Sequence, residues 1–234
     1  MPGTAKRIMV RRFAVRCSLF GGLMSCRFLG AALCAAAFVT PVRADPNTAS
    51  IDFAVMRNGA RIGTNHITVG RDGAETMVEN VTHVAVNIGP LTLYRYDQTE
   101  TERWADGRFV AMDSKTDDNG TEHSASAKAS DGKIVIHADD KVSEAPPTAV
   151  PLSVWNPLLV DSSLAIDPTD GTVQPVKVLD RGEEKVVIQG QPRPAHHYEI
   201  LTKYPQNVWY GDDHRLVQVE LKGTDGSTIR YQLM

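Results

Sequence analysis

Cysteine is missing from the last 200 residues of this 234-residue chain; Cys17, Cys26 and Cys34 all lie near the amino terminus. A domain built from the remainder has no disulfide, no thiol nucleophile and no Cys-ligated metal. Long apolar runs are also missing. The longest apolar block, residues 28–39 (FLGAALCAAAFV), falls short of the roughly 18 residues that a membrane-spanning helix needs. Aromatic residues make up only 6% of the chain, and residues 97–103 read DQTETER. An integral outer-membrane barrel would need an apolar lipid-facing band flanked by aromatic girdles, so that class is disfavoured. The chain contains no Gly-x-Ser-x-Gly elbow, no glycine-rich phosphate loop and no His-Glu-x-x-His pair, which leaves no motif for the corresponding chemistries.

Acidic residues are absent from one stretch only, the first 44 positions, and that stretch has its own logic. Lys6, Arg7, Arg11, Arg12, Arg16 and Arg27 precede the apolar block, Pro41 breaks it, and Val42-Arg43-Ala44 follows. A basic region, a short apolar core and small residues before the cut make a cleavable export signal, with cleavage after Ala44. Translation from Met24 would give a more compact signal, MSCRFLGAALCAAAFVTPVRA. The rival is a lipoprotein signal around Leu23-Met24-Ser25-Cys26, but there the apolar block follows the cysteine instead of preceding it. The expected organisation is therefore a signal peptide over 1–44 and one periplasmic or secreted domain over 45–234, with no integral membrane segment. Seven of the 25 Lys and Arg and none of the 28 Asp and Glu lie in residues 1–44, leaving a net charge of −10 on the remainder. An acidic, dispersed surface repels phosphate backbones, so nucleic acid is not an expected partner.

Asn-Gly occurs at 58–59 and 119–120, and Asp-Gly at 72–73, 106–107, 131–132, 170–171 and 225–226. These pairs tolerate the positive φ of tight hairpin turns, and most separate segments rich in β-branched and aromatic residues. Strands are expected at 51–57, 60–69, 74–88, 91–104, 108–117, 121–129, 133–138, 173–180, 183–189, 195–203, 206–210, 215–222 and 227–233. In the last hairpin Val217, Val219 and Leu221 alternate with Gln218 and Glu220, and Ile229, Tyr231 and Leu233 with Arg230 and Gln232. That period describes a sheet with one buried and one wet face. The class is all-β: a single antiparallel meander of about 12–13 strands, forming a curved sheet or an open barrel.

Residues 145–168 (APPTAVPLSVWNPLLVDSSLAIDP) break the pattern. Asn156-Pro157 has the form of a helix N-cap and first position, with Leu158, Leu159 and Leu164 as an apolar face. The segment is expected to connect a seven-strand front half to a six-strand back half through one short helix, with Trp155 packing over an open end of the sheet. An internal echo pairs Trp104…Arg108-Phe-Val with Trp209…Arg215-Leu-Val; duplication and shared hairpin grammar both account for it.

The polar clusters read mostly as surface. His196 and His197 are neighbours on a strand and project to opposite faces, so they cannot share an ion. Asp212-Asp213-His214 reads as a capped turn. Residues 113–122 fail the calcium-loop spacing, since Lys115 and Ser126 fall where ligands are required. Glu100/Glu102 and Glu183/Glu184 fit exposed strand faces or turns. No catalytic residue, metal or cofactor is assigned. The candidate ligand-binding residues are aromatic: Trp104, Trp155, Trp209 and Tyr198, with Tyr94, Tyr96 and Tyr210 nearby; they line an apolar cavity or serve as ordinary core packing.

The string Val208-Trp-Tyr-Gly-Asp-Asp-His-Arg-Leu-Val217, with Gly226-Ser-Thr-Ile-Arg-Tyr-Gln-Leu233, Arg103-Trp104-Ala-Asp-Gly107 and Ser153-Val-Trp155-Asn156, resembles an uncharacterised family of exported proteobacterial proteins known as a domain of unknown function. Gly211 stands where that family's Asp is expected, in a turn. The resemblance brings no assigned activity, so no functional residue is carried over. Its meander is similar in outline to periplasmic Lol-type carriers, at the level of fold alone. Two functions fit these expectations: a non-enzymatic binding or carrier domain for an apolar ligand or envelope partner, or a hydrolase of envelope polymers or glycans using carboxylates from separate strands.

Overall fold

A computed structural model describes residues 47–234. The segment expected to be an export signal, with Cys17, Cys26 and Cys34 and the expected cleavage after Ala44, lies outside the described residues. The front half runs through β1 (Thr48–Arg57), β2 (Ala60–Asp72), β3 (Glu75–Ile88), β4 (Leu91–Ala105), β5 (Arg108–Asp118), β6 (Thr121–Ser130), β7 (Lys133–Ala138) and β8 (Lys141–Ala145). The connector holds β9 (Val150–Pro151), a 3-10 helix (Pro157–Asp161), β10 (Leu164–Ile166) and β11 (Val173–Pro175). The back half follows with β12 (Lys177–Ile188), β13 (Gln191–Leu201), β14 (Gln206–Tyr210), β15 (Leu216–Lys222) and β16 (Thr228–Leu233).

One antiparallel sheet contains thirteen of these strands in the order β12 through β16 and then β1 through β8. The first and last strands lie side by side, with Phe53 opposite Leu233 and Val55 opposite Tyr231. The sheet is a curved meander that does not close, and its free edges are β8 and β12, the two strands that the connector joins. Charge protects the β12 edge, which reads KVLDRGEEKVVI.

The turns show why this sequence makes hairpins. Asn58-Gly59, Asp106-Gly107, Asn119-Gly120 and Asp131-Gly132 all have positive φ at both residues, the geometry that lets a two-residue loop follow the twist of its strands. A fifth such pair, Gln189-Gly190, has φ of 49° and 76°. It was not expected, because Gln is not a usual left-handed residue. The break expected at 181–182 is instead a β-bulge within a continuous β12, where Gly182 (φ 81°) gives its N–H to Asp180 Oδ1 at 2.8 Å. Asp139 (φ 48°) opens a further unforeseen turn; its Oδ1 accepts from Ser124 N at 2.8 Å, and β8 follows. The halves are therefore eight and five strands, not seven and six.

The connector is more structured than one helix. Asn156 caps the 3-10 helix through Leu158 N at 3.0 Å, with Pro157 at its start, as the sequence indicated. Leu159 is buried beneath it, whereas Leu158 faces outward and Leu164 belongs to β10. Strands β9, β10 and β11 form a separate three-stranded sheet.

This connector fills the inside of the curve. Leu159, Ala165 and Val176 pack with Phe53, Ile67, Ile200, Val208 and Leu216 in one core. Ala149 and Ile166 pack with Trp104, Met112, Ile134 and Ile136 in another. Trp155 sits in a turn, outside any strand, and touches both cores. Gly171 marks the closest approach: at φ 68°, an added Cβ would stand 2.6 Å from Ala138 Cβ and 3.0 Å from Ile136 Cγ2.

The Trp echo does not survive in register. The hairpins β4–β5 and β14–β15 each carry a bulge, which leaves Val110 and Val217 unpaired. Trp104 lies opposite Phe109, but Tyr210, not Trp209, lies opposite Leu216. Trp104 therefore matches Tyr210, and Trp209 points to the other side of the sheet. The same bulge turns Val217 away from Val219 and Leu221, to pack beside Trp209. Among the described residues no helix is long and apolar enough to cross a membrane.

Candidate functional site

The pleat of β4 sends Gln98, Glu100, Glu102 and Trp104 to one face, the inner one. Glu100 and Glu102 are each only 1% exposed. The expectation that this pair lies on an exposed face is thus overturned. Every alternate residue from Asp97 to Arg103 is also polar, so the pattern did not say which set turns inward.

Glu102 is surrounded by donors. Trp104 Nε1 donates to Oε2 at 2.6 Å, and Trp155 Nε1 lies 3.1 Å from both oxygens. Ser153 Oγ donates to Oε1. Trp104 and Trp155 meet edge to face, with centroids 6.1 Å apart. Glu100 has one donor, Asn80 Nδ2 at 3.2 Å to Oε2. Its Oε1, like Ser114 Oγ opposite it on β5, has no hydrogen-bond partner among the described residues. A polar seam continues from the pair: Asn65 donates to Asn80 (2.6 Å) and Thr82 (2.9 Å), and Gln98 to Thr116 (3.0 Å).

Burial and then the neighbouring Glu102 push the Glu100 carboxyl well above the usual range. Burial also raises Glu102, but Ser153, Trp104 and Trp155 pull it back. Of the two, Glu100 therefore holds its proton to higher pH, and Glu102, with its donors, is the first to ionise. Asp167, from the connector, is raised by burial as well.

The second feature is an open cleft of about 510 Å³ between the connector helix and the back half. Pro157, Leu158 and Val160 form one wall, Tyr198 and Tyr210 the floor, and Asp161, Glu183, Asp212, His196 and His214 the rim. The Tyr198 and Tyr210 rings meet edge to face at 6.2 Å, and Tyr198 stacks on His196 at 4.6 Å. Tyr210 donates its hydroxyl to Val154 O at 2.8 Å, tying the floor to the connector. Burial raises the Tyr198 hydroxyl, with Asp180 and Asp161 adding to it.

The four aromatic candidates thus divide. Trp104 and Trp155 come together at Glu102, and Tyr198 lies in the cleft. Trp209 lies on the opposite face, stacked on His197 at 4.4 Å and donating to Glu184. His196 and His197 face opposite ways, as the pleat requires: Nε2 of His196 is 2.6 Å from Asp180, and Nδ1 of His197 is 3.0 Å from Glu184. Asp213 caps its turn by accepting from Arg215 N at 3.2 Å, and Arg215 lowers its carboxyl. Among the described residues no group of three or more His, Cys, Asp or Glu is placed to hold a metal.

Residues 53–234 match the model of the family described as "Domain of unknown function (DUF6134)". A similar solved structure is the beta-barrel-like protein of domain of unknown function DUF1849 from Brucella abortus. It superposes with a TM-score of 0.56 at 13% identity, covering 79% of this chain and 94% of that one. At that identity the likeness is one of fold. No curated protein matches the chain.

Proposed function

This chain belongs to the DUF6134 family, and from its own geometry we propose that it is an exported, non-enzymatic binding domain of the cell envelope. In this reading the leader is removed after Ala44, and the domain works in the periplasm much as a Lol-type carrier does. The observation that carries it is the division of the inner face. The carboxyl pair that acid–base chemistry would use is sealed under the connector and committed to Glu102's donors. The concavity that solvent reaches is the tyrosine-floored cleft. Aromatic floor, apolar wall and polar rim suit an amphiphilic ligand whose apolar part lies on Tyr198 and Leu158.

The test is a titration with lysolipid or fatty acid, read through Trp155 fluorescence in a variant with Trp104→Phe and Trp209→Phe. Trp155 directly precedes the helix that walls the cleft. A saturable response at micromolar ligand, weakened about tenfold by Tyr198→Ala, is expected. No response to any apolar ligand would remove the reading.

One observation favours the hydrolase alternative: two adjacent carboxyls with unequal proton affinity are the parts of an acid–base pair. That reading needs the connector to lift. Turnover of a glycan, abolished by both Glu100→Gln and Glu102→Gln, would establish it in place of the binding domain.

A further inference from the structure

The two longest strands, β3 and β4, outrun their neighbours. Pairing of β3 with β2 stops at Val84, opposite Gly63, and pairing of β4 with β5 stops at Tyr96, opposite Asp118. The hairpin beyond stands free of the sheet, turning at Gly89-Pro90. With about four residues per arm at roughly 3.3 Å each, it projects about 13 Å. Its sequence, residues 84–94 (VAVNIGPLTLY), contains no charged side chain. Ile88, Leu91 and Leu93 are 66%, 61% and 49% exposed. Of the two polar side chains at the tip, Thr92 Oγ1 donates to Asn87 Oδ1 at 2.8 Å.

Charge begins abruptly where the finger ends. Arg95 pairs with Asp97 and, at 3.5 Å, with Asp117. His83 Nδ1 is 2.6 Å from Asp97, and burial, with Asp118 after it, raises the Tyr94 hydroxyl. The finger is thus an apolar tip, a tyrosine at its base, and a collar with three carboxylates against one guanidinium.

We propose that this fingertip enters the surface of a zwitterionic bilayer, down to the collar. The dimensions fit: the headgroup layer of one leaflet is about 5–7 Å thick, so a tip of about 13 Å reaches hydrocarbon. The charges fit as well, because a net-negative collar faces the ammonium groups of phosphatidylethanolamine and is repelled by anionic lipid. Tyrosine at the boundary, with a polar hydroxyl and an apolar ring, is the side chain such a border favours.

The test is flotation of the exported protein on vesicles of equal parts phosphatidylethanolamine and phosphatidylcholine. Binding is expected, reduced about tenfold or more by Leu91→Asp. Val142→Asp, an equally exposed apolar site on β8, and Tyr198→Ala in the cleft should leave it unchanged, which separates this inference from the ligand-binding one. Added phosphatidylglycerol should weaken it. The substituted side chains are exposed, and unchanged thermal melts would verify folding. Absence of flotation, or flotation indifferent to Leu91→Asp, overturns the proposal. So does tighter binding with phosphatidylglycerol, or a concentration-dependent dimer dispersed by Leu91→Asp, which would make the occupant a second copy.

Discussion

The same conservative substitution at two equally buried positions, two residues apart on one strand, should change stability in opposite directions. In Glu100→Gln the amide keeps an oxygen for Asn80 Nδ2 and puts an uncharged NH2 where Oε1 has no partner, so it imitates the protonated acid. In Glu102→Gln one of the two oxygens, either Oε1 with Ser153 and Trp155 or Oε2 with Trp104 and Trp155, becomes a donor. At least one buried N–H or O–H then loses its acceptor, at about 1–3 kcal/mol, and the remaining bonds lose their charge. Relief of like-charge repulsion and of a buried charge offsets part of this. A net loss of about 3 kcal/mol follows, or roughly 6–12 °C in Tm for a domain of this size.

The pH dependence gives the sharper contrast. Because the Glu100 carboxyl titrates above its unfolded range, the folded state keeps a proton that the unfolded chain releases. Stability from this site is full below the unfolded value, near the ordinary 4.5, and declines as pH rises toward the folded one. The slope is at most about 1.4 kcal/mol per pH unit for one proton. Urea melts from pH 5 to 8 should show that decline in the wild type and a flatter profile in Glu100→Gln, with the variant the more stable at the upper end. Equal destabilisation by the two variants, or an undiminished slope in Glu100→Gln, would refute the placement of the proton.

Other outcomes follow from the same structure. Gly171→Ala combines a left-handed backbone with a Cβ 2.6 Å from Ala138, and should cost about 2–3 kcal/mol in a urea melt; a neutral result would mean the connector does not press on β7. Trp155→Ala removes an indole shared by two cores and a hydrogen bond to Glu102; a loss of about 3 kcal/mol is expected by thermal melting. Intact-mass analysis of exported protein should give an amino terminus at Asp45, and retention of residues 24–44 or a lipid on Cys26 would contradict the signal reading. That exported form has no cysteine, so its melt should be indifferent to reductant.

Most of the fold was legible because Asn-Gly and Asp-Gly name their turns. Where other residues take the same geometry, as at Gln189-Gly190 and Asp139, composition carried no signal, and the strand boundaries there moved. The connector strands β9, β10 and β11 are two or three residues long, too short to show a period. They exist because neighbouring chain satisfies their backbone. The carboxyl pair was hidden for a different reason. In DQTETERW both alternating sets are polar until Trp104, and only the inward side of Trp104 reveals that Glu102 and Glu100 turn inward with it. Trp209 was grouped with Tyr210 although neighbours on a strand face opposite ways: Tyr210 lies opposite buried Leu216, and Trp209, opposite Gln218, turns to the other side of the sheet.

The binding-domain reading is tested most directly by native mass spectrometry of the protein purified from cells that make it with its leader. A discrete added mass of lipid or amphiphile size is expected, lost in Tyr198→Ala while the fold persists. A bare polypeptide mass in the wild type, from preparations that keep known lipid carriers loaded, would contradict it.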